Sequence, residues 1–100
     1  RSGVATALET YNRERVGPIS EEMLNNMGYN LLREKKKDEA ILLFLQNTKD
    51  YPNSANVWDS LAEGYMENGN RELAIRYYEK SLELNPQNSN AKEQLKKLRL

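Results

Sequence analysis

A 34-residue period runs through the second half of this chain. Trp58, Leu61, Ala62, Gly69, Ala74, Tyr78 and Pro86 mark one helix–turn–helix unit, and a fainter copy lies upstream. Pro52 pairs with Pro86, Ala40 with Ala74, Ile41 with Ile75, Phe44 with Tyr78, Gly28 with Ala62 and Met27 with Leu61. Small residues at fixed places let two backbones approach, and large ones beside them fill the remaining space. A period of this length made of two helices gives a stacked helical array, in which each unit touches only its neighbours.

Punctuation sets the elements. Val4, Ala7, Leu8 and Tyr11 follow i, i+3, i+4, i+7 spacing, which predicts an amphipathic helix from Val4 to about Arg15, ended by Gly17-Pro18. Ser20 predicts an N-cap, with Glu21 and Glu22 in the first turn favoured by the helix dipole. That helix runs to about Glu34 and presents Leu24, Met27, Gly28, Leu31 and Leu32. Asp38 opens the next, to about Asp50. Ser54, Asn70 and Ser89 are read as the caps of three more helices, and Gly69 suits the left-handed position that ends one of them. The expected architecture is all-α: a right-handed α-α superhelix. Residues 1–19 form an N-terminal helix and linker. Residues 20–100 form the repeat domain, with units at about 21–54 and 55–88 and a capping helix at about 89–99.

The Trp58…Leu61-Ala62…Tyr65…Gly69…Ala74…Tyr78…Pro86 pattern resembles the tetratricopeptide repeat consensus. Residues 21–54 resemble it less: Leu24 replaces the aromatic, Leu31 replaces the tyrosine, and Asn47 stands where a small apolar residue is usual. In the last helix Lys92 and Lys96 replace Trp58 and Ala62 in register, as suits a solvated cap. The resemblance implies a non-catalytic protein-interaction module that takes a protein or peptide in a concave groove lined by the first helix of each pair. Asn25, Tyr29, Leu32 and Arg33 from the first unit, and Asn56, Asp59, Glu63, Met66 and Glu67 from the second, are expected there. Asparagine amides suit an extended peptide backbone, Tyr29, Leu32 and Met66 offer apolar anchoring, and the carboxylates favour a basic ligand. Some members of the family clamp a C-terminal carboxylate with lysine, asparagine and arginine. Here Asn25 stands where the lysine is needed and Glu63 repels, so no such clamp is expected.

A second resemblance carries another expectation. SEEMLNNMGYNLL from Ser20 and YPNSANVWDSL from Tyr51 look like the C-terminal repeat extension of some bacterial β-lactamase-related serine hydrolases. This implies an accessory domain packed on its own catalytic domain, and a periplasmic location if the hydrolase is exported. The absence of an initiating methionine is read as a fragment or processed product. Leu42, Leu43 and Leu45 exceed what the core of their helix requires, because Ala40, Ile41 and Phe44 suffice. They are expected to form an apolar docking surface, covered by the N-terminal helix, a parent domain or a second copy of the chain.

Composition narrows the chemistry. Lys+Arg and Asp+Glu are 15 each, so the net charge is zero, and each half of the chain is balanced as well. That gives no electrostatic footprint for nucleic acid or an anionic membrane. Without histidine or cysteine there is no imidazole base, imidazole ligand or thiolate. No cofactor or metal site is expected. Ser89-Asn90-Ala91-Lys92 fits S-x-x-K and Tyr51-Pro52-Asn53 fits Y-x-N. There is no K-T-G to accompany them, and capping accounts for Ser89.

Overall fold

The computed structural model describes residues 3–14 and 19–100, which form six α-helices and no strand. They are α1 (Gly3–Glu14), α2 (Glu21–Arg33), α3 (Lys37–Asp50), α4 (Ala55–Glu67), α5 (Arg71–Leu84) and α6 (Ser89–Leu98). The expected end of α1 at Arg15 and the Gly17-Pro18 break lie outside the described residues. α2 pairs with α3 and α4 with α5, α3 packs on α4, and α6 covers α5. α1 lies against α3. The stack is elongated, 42 × 26 × 18 Å.

Each pair turns through the same backbone device. The Lys36 N–H bonds the Leu31 carbonyl at 2.9 Å, and 34 residues on the Asn70 N–H bonds the Tyr65 carbonyl at 2.9 Å. This bond closes a helix by putting one residue in the left-handed region. Gly69 takes it at φ 85° without cost, while its counterpart Lys35 takes it at φ 67°, which costs a residue with a Cβ about 1 kcal/mol.

The first unit packs around Phe44, which is fully buried. A Cβ built on Gly28 would lie 2.4 Å from its ring, and one on Gly64 would lie 3.1 Å from the ring's other edge. The ring is therefore held between two helix backbones, and on the Gly28 side only glycine lets it come so close. In the second unit Ala62 and Tyr78 take the corresponding places, both fully buried. Trp58 and Tyr65 of α4 stack on either side of Tyr77 of α5, with centroids 5.6 and 5.7 Å apart.

A polar tie repeats with the period. Asn47 Nδ2 donates to the Glu21 carbonyl at 2.9 Å, and Ser81 Oγ donates to the Ala55 carbonyl at 3.0 Å. Each fixes the first turn of the leading helix, where carbonyls are otherwise engaged only within the helix. Leu24 and Asn47, two of the departures from the consensus, are thus interior: both are buried.

Three expectations about local structure are corrected. Met27 is exposed and not core. Ser54 and Asn70 precede their helices without capping them by side chain, Ser54 donating instead to Glu21 Oε2 at 2.7 Å. The cap of α6 is Asn88, whose side chain accepts from the Ala91 N–H, and Ser89 is the first helical residue. Ser20 caps α2 as expected, accepting from the Met23 N–H.

Candidate binding groove

α2 and α4 lie side by side and share one face. Along α4 the spacing of Asn56, Asp59, Glu63 and Glu67 puts all four on one stripe. α2 brings Tyr29, Leu32 and Arg33 to it. Tyr29 joins the two helices: its hydroxyl donates to Glu63 Oε1 at 2.8 Å, and its ring meets Phe44 edge-on at 5.2 Å. Burial, reinforced by the Glu63 charge and opposed by Ser60, pushes the Tyr29 hydroxyl well above its usual range. It stays a neutral donor at any ordinary pH.

Two clefts adjoin at this pair. One, of about 490 Å³, is lined by Tyr29, Ala55, Asn56, Asp59, Glu63, Asn85, Asn88 and Asn90. The other, of about 280 Å³, is lined by Tyr29, Leu32, Arg33, Glu63 and Glu67. Asp59 and Glu63 with amides thus line the larger cleft, and Glu63 and Glu67 with the Arg33 guanidinium line the smaller.

Asp59 is not a solvated ridge residue as its sequence position suggests: it is buried. It accepts from Asn88 Nδ2 at 2.7 Å and Asn90 Nδ2 at 2.9 Å, which offsets the cost of removing a carboxylate from water. Asn88 also donates to Ser81 Oγ at 2.8 Å while capping α6. One side chain therefore fixes α4, α5 and α6 around the amide end of the groove. Asn85, Asn88 and Asn90 are absent from the sequence-based set, because they come from the turn before the cap and not from a groove helix. The available signal is Asn88, which falls in the 34-residue register of Ser20 and Ser54, the residues that precede α2 and α4.

Two expected groove residues are placed elsewhere. Met66 packs on the core shared by α4, α5 and α6, and Asn25 is taken up by the Ser60 hydroxyl, which donates to its Oδ1. Neither lines a cleft. Below the groove, Tyr78 is fully buried and its hydroxyl has no hydrogen-bond partner among the described residues. Burial first, then the nearby Asp59 and Glu63 charges, raises its pKa.

The leucine-rich side of α3 resolves into separate environments. Leu43 is buried, which corrects its place in a docking surface. Leu42 and Leu45 line a cleft of about 330 Å³ with Ala5 and Leu8 of α1, so α1 provides cover, although Leu45 stays exposed. Asn12 and Gln46 exchange amide hydrogen bonds at 3.0 and 3.2 Å, and Tyr11 donates to Asp50 at 3.0 Å. Among the described residues no cluster of three acidic side chains could hold a metal ion, and no helix is long and apolar enough to cross a membrane.

Comparison with known proteins agrees with this geometry. A tetratricopeptide repeat family model matches residues 55–88. The crystal structure of the Sgt2 TPR domain from Aspergillus fumigatus is similar over 83% of this chain, with a TM-score of 0.74 and 25% identity. The chain spans 59% of that domain's length. A search of curated proteins finds no match.

Proposed function

We propose that this chain, whose residues 55–88 match the tetratricopeptide repeat family model and whose fold is similar to that of a TPR domain, acts as a tetratricopeptide protein-interaction module and holds an extended, basic peptide in the groove between α2 and α4. Domains of this family serve as protein-interaction scaffolds, and catalysis is not their general role. What carries the finer reading is the Tyr29–Glu63 pair, shared by both clefts. On one side of it, Asn56 and Asn85 offer amides to a peptide backbone, while Asn88, whose amide is taken up within the fold, holds that end in shape. On the other, Leu32 offers an apolar contact, and Glu67 and Glu63 offer charge to a lysine or arginine. Because Tyr29 already satisfies one Glu63 oxygen, the carboxylate is held in place before a ligand arrives, which lowers the ordering cost of binding.

The reading is tested by panning a random peptide library on the wild-type chain and on Glu63→Lys. Peptides enriched on wild type are expected to carry lysine or arginine and to lose binding on Glu63→Lys. Enrichment of acidic peptides, or equal recovery on both proteins, would refute it.

A further inference from the structure

Asn68-Gly69 is the one place in the chain where glycine follows asparagine. That pair can react with itself. The main-chain nitrogen of the second residue can attack the side-chain carbonyl of the first, and glycine has no Cβ to obstruct the approach. Both residues are exposed, so water reaches them. They join α4 to α5. In the turn of the first unit the same places hold Glu34 and Lys35, which carry no amide.

The folded backbone holds the reacting atoms apart. Asn68 has ψ 1°, so the Gly69 nitrogen eclipses the Asn68 nitrogen. Cβ, which carries the amide, stands about a third of a turn further round the same bond. The Gly69 N–H donates to the Met66 carbonyl at 3.1 Å, and the Asn70 N–H donates to the Tyr65 carbonyl at 2.9 Å. Gly69 itself is fixed at φ 85°. Ring closure therefore needs this turn to open first, and opening breaks the bonds that end α4.

We propose that Asn68 is a site of spontaneous deamidation held in check by the α4–α5 turn. When the turn opens, the Gly69 nitrogen bonds to Asn68 Cγ and the bond from Cγ to the amide nitrogen breaks. Ammonia leaves with that bonding pair and with the proton lost from Gly69. Water, the one co-reactant, then opens the cyclic imide, and nothing is oxidised or reduced. Attack of water at Cγ gives aspartate. Attack at the main-chain carbonyl gives isoaspartate, whose main chain runs through Cβ and Cγ. Either product puts a carboxylate at the C-terminus of α4, beside Glu67, where the helix dipole disfavours it. Isoaspartate also lengthens the main chain by one atom inside the turn, so the bond between Asn70 and Tyr65 cannot re-form as built. The reaction unlatches the second helix pair and leaves the turn of the first untouched.

Peptide mapping by mass spectrometry tests this on the whole chain, after incubation in mildly alkaline buffer with and without urea. In urea Asn68 should deamidate ahead of every other asparagine. Without urea it should react at least about tenfold more slowly, because only the open turn is competent. Asn70→Pro keeps the Asn-Gly pair but removes the N–H that bonds Tyr65. It should recover much of the rate seen in urea while circular dichroism still reports a helical chain. The isoaspartyl product, separated and refolded, should melt below Asn68→Asp, which carries the same charge on a main chain of normal length. Equal rates with and without urea, or faster reaction at another asparagine in urea, would overturn the proposal. So would a folded Asn70→Pro that reacts no faster than wild type, or equal melting of the isoaspartyl chain and Asn68→Asp.

Discussion

Replacing Gly28 by alanine sets two effects of similar size against each other. Alanine is favoured over glycine inside a helix by about 1 kcal/mol. Against that, the new Cβ would stand 2.4, 2.7 and 2.9 Å from three atoms of the Phe44 ring, where ordinary contact begins near 3.4 Å. The ring edge must retreat by about 1 Å. Its retreat is confined by the Gly64 backbone behind the other edge and by Tyr29, which packs against it edge-on. Overfilling a packed core costs about 1–3 kcal/mol, and contacts as short as these lie toward the upper end, so after the helix gain Gly28→Ala should destabilise by a net of up to about 2 kcal/mol. That corresponds to a melting point lower by up to roughly 10 °C in a domain of this size. Gly64→Ala is the control with the opposite balance. Its closest contacts are 3.1 and 3.2 Å, a few tenths of an ångström would relieve them, and the helix gain should leave it neutral or stabilised by up to about 1 kcal/mol. Thermal melts followed by circular dichroism compare the two. If Gly28→Ala is as stable as wild type, or costs the same when Phe44 is leucine, the ring is not what demands glycine at this position.

Two further outcomes follow from the interior. Asn47→Ser should stay close to wild type, because Ser81 makes the same tie in the second unit, whereas Asn47→Leu should cost about 1 kcal/mol more by removing the tie and leaving the Glu21 carbonyl only its helical bond; urea melts measure both, and equal costs would show the tie to be idle. Tyr29 and Tyr78 keep their protons in the folded state to higher pH than free tyrosine does. The unfolded chain releases those protons above about pH 10 while the folded chain does not, so stability should fall as pH rises past about 10; complete titration of all six tyrosines near pH 10 with helicity intact would contradict this.

The fold was legible because helix punctuation and small–large alternation are local signals with a fixed period. Gly69 and Ser20 act as their residue types suggest. The groove stripe of α4 was legible for the same reason, since spacing along one helix fixes its face. What escaped was anything decided by a second element. Met27 has the side chain of a core residue, yet it stays exposed on α2. Asp59 looks like surface charge until Asn88 and Asn90 arrive from beyond the next helix. Leu24 and Asn47 depart from the repeat consensus, which by itself does not say where they pack. Both repack the interior, the second by substituting an amide for a hydroxyl in one tie. Gly64 carries no mark in the sequence, because its role depends on a ring brought from α3.

The ties between Asn12 and Gln46, Tyr29 and Glu63, Asn47 and Glu21, and Ser81 and Ala55 span between 26 and 34 residues. Each closes a loop of nearly the same length, so the entropy of forming one is nearly the entropy of forming the next. Assembly can then advance unit by unit without bringing distant ends of the chain together, which favours rapid folding. The lone tryptophan, Trp58, stacks on Tyr77 within the second unit. Its fluorescence would time the closing of that unit, while circular dichroism times all of them, and a gap between the two signals would measure how independently the units form.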